Sequence, residues 1–188
     1  MDTITLNLDA IQLTDDQFYE LCQHNQDWRL ERSPQGGLII MPPIGGESGK
    51  QEAELITDVT IWNRQTGLGF VFSSSTIFRL PNGASRSPDV AWIERERYLA
   101  LSQEERDKFP PITPDFVIEL RSRTDSLTTL QQKMAEYLAV GVKLGWLINP
   151  QQQTVEIYRP NQGVELRNLP TALSGEDVLP GFALSLGQ

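Results

Sequence analysis

The stretch Pro114-Asp115-Phe116-Val117-Ile118-Glu119-Leu120 constrains this chain most. Phe116, Val117, Ile118 and Leu120 are side chains that a pleated, covered surface accepts. Alternation puts Phe116, Ile118 and Leu120 on one face of a strand, and Asp115, Val117, Glu119 and Arg121 on the other. Both faces are apolar at the centre, so the strand belongs inside a sheet. Burying an unpaired carboxylate costs several kcal/mol or forces it to keep a proton. Glu119 and Asp115 therefore need partners, and the identity of those partners bears on function.

The preceding strand segment repeats the pattern. In SPDVAWI, Asp89 shares a face with Ala91 and Ile93. Both segments open alike, with Ser87-Pro88-Asp89 and Thr113-Pro114-Asp115. If the two strands are neighbours, Asp89 and Glu119 converge. Two adjacent carboxylates cannot both stay ionised without a counter-charge. Either Arg121 or Arg86 supplies it as an ion pair, or a bound Mg²⁺ or Mn²⁺ does.

The remaining chain supplies a scaffold for such a sheet. Thr14 and Gln17 form a capping-box pattern ahead of a helix over 14–24. DWRLERS and GGLIIMPP flank SPQGG as a hairpin. Leu55, Ile56, Val59 and Trp62 mark a helix over 47–64. GFVFSS and STIFRLPNG read as strands with a turn at Pro81-Asn82-Gly83. Residues 94–111 read as a charged surface helix, with Ser102 and Glu105 as a second capping box. Leu127, Leu130, Met134, Tyr137 and Leu138 mark a helix stopped at Gly141. LGWLINP and TVEIYRP form a hairpin, and GEDVLPGFALSL reads as an edge strand. The order predicts an α/β fold of the α+β kind: a mixed sheet with helices packed on it. Its 188 residues suit one domain, with 1–46 a helix-and-hairpin extension and 47–188 the core and tail.

Composition excludes several classes. One cysteine, Cys22, allows no internal disulfide and no cysteine-based zinc cluster. Cys22 and the only histidine, His24, stand two apart on a helix and do not face each other. No apolar run reaches bilayer length and no signal-peptide pattern opens the chain, so a cytoplasmic protein without membrane contact is expected. The net charge of −9 opposes a broad electrostatic grip on nucleic acid but leaves room for a local basic groove. No phosphate-binding loop, dinucleotide fingerprint or hydrolase elbow occurs. The four tryptophans read as core. Lys133 falls at the margin of the helix stripe, either snorkelling at the core boundary or aimed over the sheet toward Glu119.

With Asp89 in SPDVAWI, Glu119 in PDFVIELRS, and the following SLTTLQQKMAEYLAVGVKLGWLINP, the chain resembles the PD-(D/E)XK nuclease superfamily. More specifically it resembles the Uma family of restriction-endonuclease-like proteins, from about Asp15 to the C-terminus. The resemblance implies a restriction-endonuclease-like core and a metal-dependent endonuclease acting on nucleic acid, DNA in the first instance, with a homodimer allowed. It implies Asp89 and Glu119 as metal ligands for Mg²⁺ or Mn²⁺, with the Leu120 carbonyl. The superfamily pattern places a lysine two residues after the glutamate, where this chain has Arg121. Arginine stays protonated and cannot act as a base. In the Uma-type pattern Lys133 takes that place from the next helix. A glutamate of the first long helix also serves in such nucleases; Glu54 fits best, with Glu47 and Glu52 as alternatives and a solvated charge as the plain reading. The competing function is a nuclease-like scaffold that binds or regulates without catalysis.

Overall fold

The computed structural model describes residues 3–8 and 10–187. Its elements in chain order are β1 (Ile4–Leu6), α1 (Asp15–His24), β2 (Arg29–Arg32), β3 (Leu38–Met41) and α2 (Gly46–Thr66). Then follow β4 (Gly69–Ser73), β5 (Phe78–Arg79), β6 (Ser85–Arg86), β7 (Val90–Glu94), α3 (Arg95–Leu99) and α4 (Gln103–Asp107). The last are β8 (Phe116–Leu120), α5 (Leu127–Ala139), β9 (Leu144–Asn149), β10 (Thr154–Tyr158), β11 (Glu165–Asn168), β12 (Thr171–Ser174) and β13 (Ala183–Leu186).

The main sheet has the order β11-β10-β9-β8-β7-β4. β8 pairs antiparallel with β7 and parallel with β9, so it lies in the middle, as its two apolar faces require. The β8-α5-β9 crossover lays α5 on one face. There Met134 and Tyr137 pack with Val117, Ala91, Ile93 and Leu147. On the other face Leu55, Val59 and Trp62 of α2 pack against Phe116, Ile118, Trp92 and Trp146. Both faces are thus covered, and burial of these side chains contributes about 1.5–3 kcal/mol each.

Local signals explain the element ends. Thr14 and Gln17 make the expected capping box on α1, and Ser126 caps α5 through the Thr129 N–H. Gly67, at φ 67°, closes α2 in the left-handed conformation that glycine adopts without strain. The hairpin β2-β3 forms as expected, with Arg29 opposite Met41.

Three expectations need correction. The stretch 94–111 is two short helices, because Ser102 caps a new helix and its side chain accepts from the Glu105 N–H. The tail strand β13 does not edge the main sheet; it pairs with β12, and Leu173, Leu179, Phe182 and Leu184 cover the α2 side of the core. The outer edge belongs instead to β11. Trp28 is half exposed, whereas Trp62, Trp92 and Trp146 are buried.

The hairpin is also more than an appendage. It continues into a second sheet of order β1-β3-β2-β6-β5, and β2 pairs with β6 just before β7 begins. That junction brings β2 side chains to the end of the main sheet. No described helix is long and apolar enough to cross a membrane.

Candidate active site

Val90 of β7 stands opposite Ile118 of β8, so the next residues outward are Asp89 and Glu119. The two carboxylates therefore meet at one end of the sheet, on the face that α5 covers. Asp89 Oδ2 accepts the Leu120 backbone N–H at 2.7 Å. Glu119 Oε1 lies 2.9 Å from Lys133 Nζ and accepts the Tyr137 hydroxyl at 3.0 Å. The counter-charge to Glu119 is thus Lys133, and neither Arg121 nor Arg86.

Lys133 is held from its other side as well. Its Nζ donates to Glu31 Oε1 at 2.9 Å. Glu31, on β2, is buried and also accepts from the Ser87 N–H at 2.9 Å and from Arg86 at 3.0 Å. Arg86 also donates to Glu136 through Nε and Nη2, at 3.1 and 2.6 Å. Helix α5 presents Lys133, Glu136 and Tyr137 from adjacent turns, the spacing that places three side chains on one face.

Burial alone would raise Glu31, but Lys133, Arg86 and the Ser87 N–H outweigh it and hold the carboxyl down at about 2. Burial opposes the charge on Lys133, yet Glu119 and Glu31 raise its pKa above the ordinary lysine value. The two carboxylates thus favour the charged form of Lys133. Burial, and then the charge of Glu119, push Asp89 up to about 8 against the Leu120 N–H. Burial also raises Glu119, with Lys133 opposing and Glu31 adding to it.

The cluster, buried or largely so, is short of positive charge. Asp89, Glu119, Glu31 and Glu136 face Arg86 and Lys133, both of which are already engaged with the last three. Asp89 is left with the more distant Arg29, at 3.8 Å. A cleft of about 1140 Å³ opens over these groups. Its walls include Arg29, Glu52 and Arg123. Hard carboxylate oxygens short of a counter-ion fit a divalent cation. Among the described residues no group of three or more His, Cys, Asp or Glu side chains is arranged to hold a metal, so the pair would need backbone and water oxygens to complete a shell.

The secondary candidates separate. Arg121 turns away, donating to the Asp125 carbonyl at 3.1 Å and to Asn149 at 3.4 Å. Glu54 is exposed and sits 3.7 Å from Lys50. Glu52, buried and hydrogen-bonded to the Ser74 hydroxyl, is the α2 carboxylate that faces the cleft. Glu47 also lines the cleft, nearer the start of α2. The reason is the stripe: Glu52, Leu55, Val59 and Trp62 recur at helical spacing and are buried together, and Glu54 falls outside it. Glu31 has no comparable signal in the sequence. Asp115 is neutralised apart from the site, by Arg97 at 2.6 Å and Lys143 at 2.8 Å, and it accepts the Glu94 N–H.

Residues 15–187 match the family model of Uma2, described as "Putative restriction endonuclease". The chain belongs to the Uma2 family. Comparison with curated proteins yields no match. Among solved structures, this Uma2 chain is similar to one from Anabaena variabilis described as a "putative nuclease belonging to DUF820". That likeness has a TM-score of 0.72 at 22% identity and covers 83% of this chain and 86% of the other. At that identity it establishes a shared fold, the restriction-endonuclease-like one.

Proposed function

We propose that this chain is a divalent-cation-dependent endonuclease that hydrolyses phosphodiester bonds of nucleic acid, with Asp89, Glu119 and Lys133 as its active residues. The observation that carries the reading is the meeting of Asp89 and Glu119 at the floor of the cleft, with Lys133 Nζ 2.9 Å from Glu119. Membership of the Uma2 family supports it. DNA as the substrate, pairing of two copies and a cytoplasmic location belong to the same reading. So does a single domain over 1–188 in which the hairpin supplies part of the site.

Asp89 and Glu119 would hold Mg²⁺ or Mn²⁺, with the Leu120 carbonyl as a third oxygen. When bound, such a cation supplies positive charge to the scissile phosphate and lowers the pKa of water beside it. Asp89 is oriented for this by the Leu120 N–H on Oδ2, and its other oxygen has Arg29 as a neighbour at 3.8 Å. Tyr137 and Lys133 fix Glu119 in the same way. Lys133, protonated and anchored by Glu31, adds stationary positive charge where a pentacovalent phosphate would gather negative charge. Arg121 takes no part.

Isothermal titration of Mg²⁺ and Mn²⁺ into wild type and Glu119→Gln, with plasmid nicking on the same samples, tests the reading. Wild-type binding and nicking, both lost in the variant, support it. A wild type that binds no metal and nicks nothing sinks it in favour of a scaffold that binds or regulates.

A further inference from the structure

We propose that Arg29 is a phosphate-binding residue of this cleft, gripping the strand beside the scissile bond. The proposal rests on the nuclease reading above and extends it to a residue of the N-terminal hairpin.

The cations lining the cleft are not equally placed or available: Arg123 is exposed on the wall, whereas Arg29 is the one that stands beside Asp89. Arg86 is spent on Glu31 and Glu136, and Lys133 on Glu31 and Glu119. Arg29 is held loosely. Its Nη2 lies 3.5 Å from the Ser74 carbonyl, the outer limit of a hydrogen bond, and 3.8 Å from Asp89 Oδ1. Its Nε is buried and has no hydrogen-bond partner among the described residues. A buried N–H without an acceptor is unfavourable, so the side chain gains by moving to one. The side chain is about a third exposed and lines the cleft, which leaves room for that movement.

Position selects the acceptor. Asp89 Oδ2 is occupied by the Leu120 N–H, and Arg29 stands against the other oxygen, Oδ1, while both residues line the cleft. A phosphate drawn to the Asp89–Glu119 end of the sheet arrives within reach of Arg29. Two parallel N–H groups of a guanidinium match two phosphate oxygens, a fit that a lysine does not reproduce. Departure of Arg29 from Asp89 also frees that carboxylate oxygen for a cation.

The test measures binding of a short oligonucleotide, single-stranded and duplex, to wild type, Arg29→Met and Arg29→Lys over a range of salt, with Ca²⁺ present. Metal affinity is measured separately by calorimetry, and circular dichroism checks the fold. The expected result is about tenfold weaker binding in Arg29→Met, with a salt slope smaller by about one. Arg29→Lys should restore the slope but only part of the affinity. Metal affinity should be unchanged or tighter in both. Equal oligonucleotide binding by Arg29→Met and a wild type that nicks plasmid would overturn the role of Arg29 and leave the nuclease reading standing. Tighter metal binding with no change in oligonucleotide binding would also overturn it, because Arg29 would then only neutralise Asp89. A wild type that neither binds oligonucleotide nor nicks would overturn both.

Discussion

Lys133 Nζ stands 2.9 Å from Glu119 Oε1, and the same nitrogen is 2.9 Å from a second buried carboxylate, Glu31 on β2. One ammonium therefore supports two anions, both out of reach of solvent. Removing it leaves Glu119 with the neutral Tyr137 hydroxyl and no counter-charge, and Glu31 with Arg86 as its remaining counter-charge beside the Ser87 N–H. Lys133→Met should lower unfolding free energy by about 3–5 kcal/mol, the range for breaking a buried pair from one side. Urea denaturation checks this. The double variant Lys133→Met/Glu119→Gln should recover part of the loss, since one uncompensated charge goes with it.

Asp89 gives the metal-free protein a defined pH response. Its folded pKa, about 8, lies above the ordinary carboxyl value of 3.8. The folded state then holds the proton more tightly than the unfolded state. Its contribution is complete below the unfolded value and is lost as pH rises through about 8. In EDTA, Tm should fall as pH climbs from 5 to 9, and Asp89→Asn should reduce that fall. At pH 9 the variant should melt about 2–8 °C higher than wild type, equivalent to about 1–2 kcal/mol in a chain of this size. Mg²⁺ should stabilise wild type more at pH 9 than at pH 6, and the variant at neither. Thermal melts across pH with and without Mg²⁺ decide this.

Asp115 should behave in the opposite sense. Burial opposes its charge, but the Glu94 N–H, Lys143 and Arg97 lower its pKa below the ordinary value. Its stabilisation is present above the unfolded value and is lost as pH falls through the folded one. Asp115→Asn should cost about 1–3 kcal/mol at neutral pH, lessen the acid limb of the stability curve and leave Mg²⁺ affinity alone. Denaturation at several pH values, with calorimetry at pH 7.5, is the check.

Two pairs of substitutions separate the acidic and basic candidates. Glu52→Gln should weaken Mg²⁺ binding about three- to tenfold, because it removes a nearby charge at a partly buried site. Glu54→Gln should leave it unchanged. Arg121→Ala should likewise leave metal affinity unchanged, while Lys133→Met should abolish plasmid nicking. Titration and nicking on the four proteins give the answer.

The strands around the site are legible in the sequence because their faces are read two residues at a time. SPDVAWI and PDFVIEL each carry a carboxylate in phase with small or apolar neighbours, and the two carboxylates meet once the strands pair. Lys133 is legible only as a boundary residue, and its contact with Glu119 depends on how closely α5 seats on β8 and β9. Its place beside core Leu55 favours Glu54 over Glu52 in the sequence, whereas the buried stripe runs through Glu52. Glu31 carries no mark. It lies between Leu30 and Arg32 in a hairpin strand, and its partners Arg86 and Lys133 are 55 and 102 residues away. The place of the tail is illegible for another reason: an alternating apolar run does not say which sheet it joins.

The Glu31–Lys133–Glu119 chain ties the consecutive β8 and α5 to a hairpin strand, β2, that lies 102 residues before Lys133. No fragment that lacks either the hairpin or α5 holds all three. While the protein is being synthesised, Asp89 and Glu119 leave the ribosome before the helix that steadies them. On the nuclease reading proposed above, cutting would therefore wait until the chain has closed on itself.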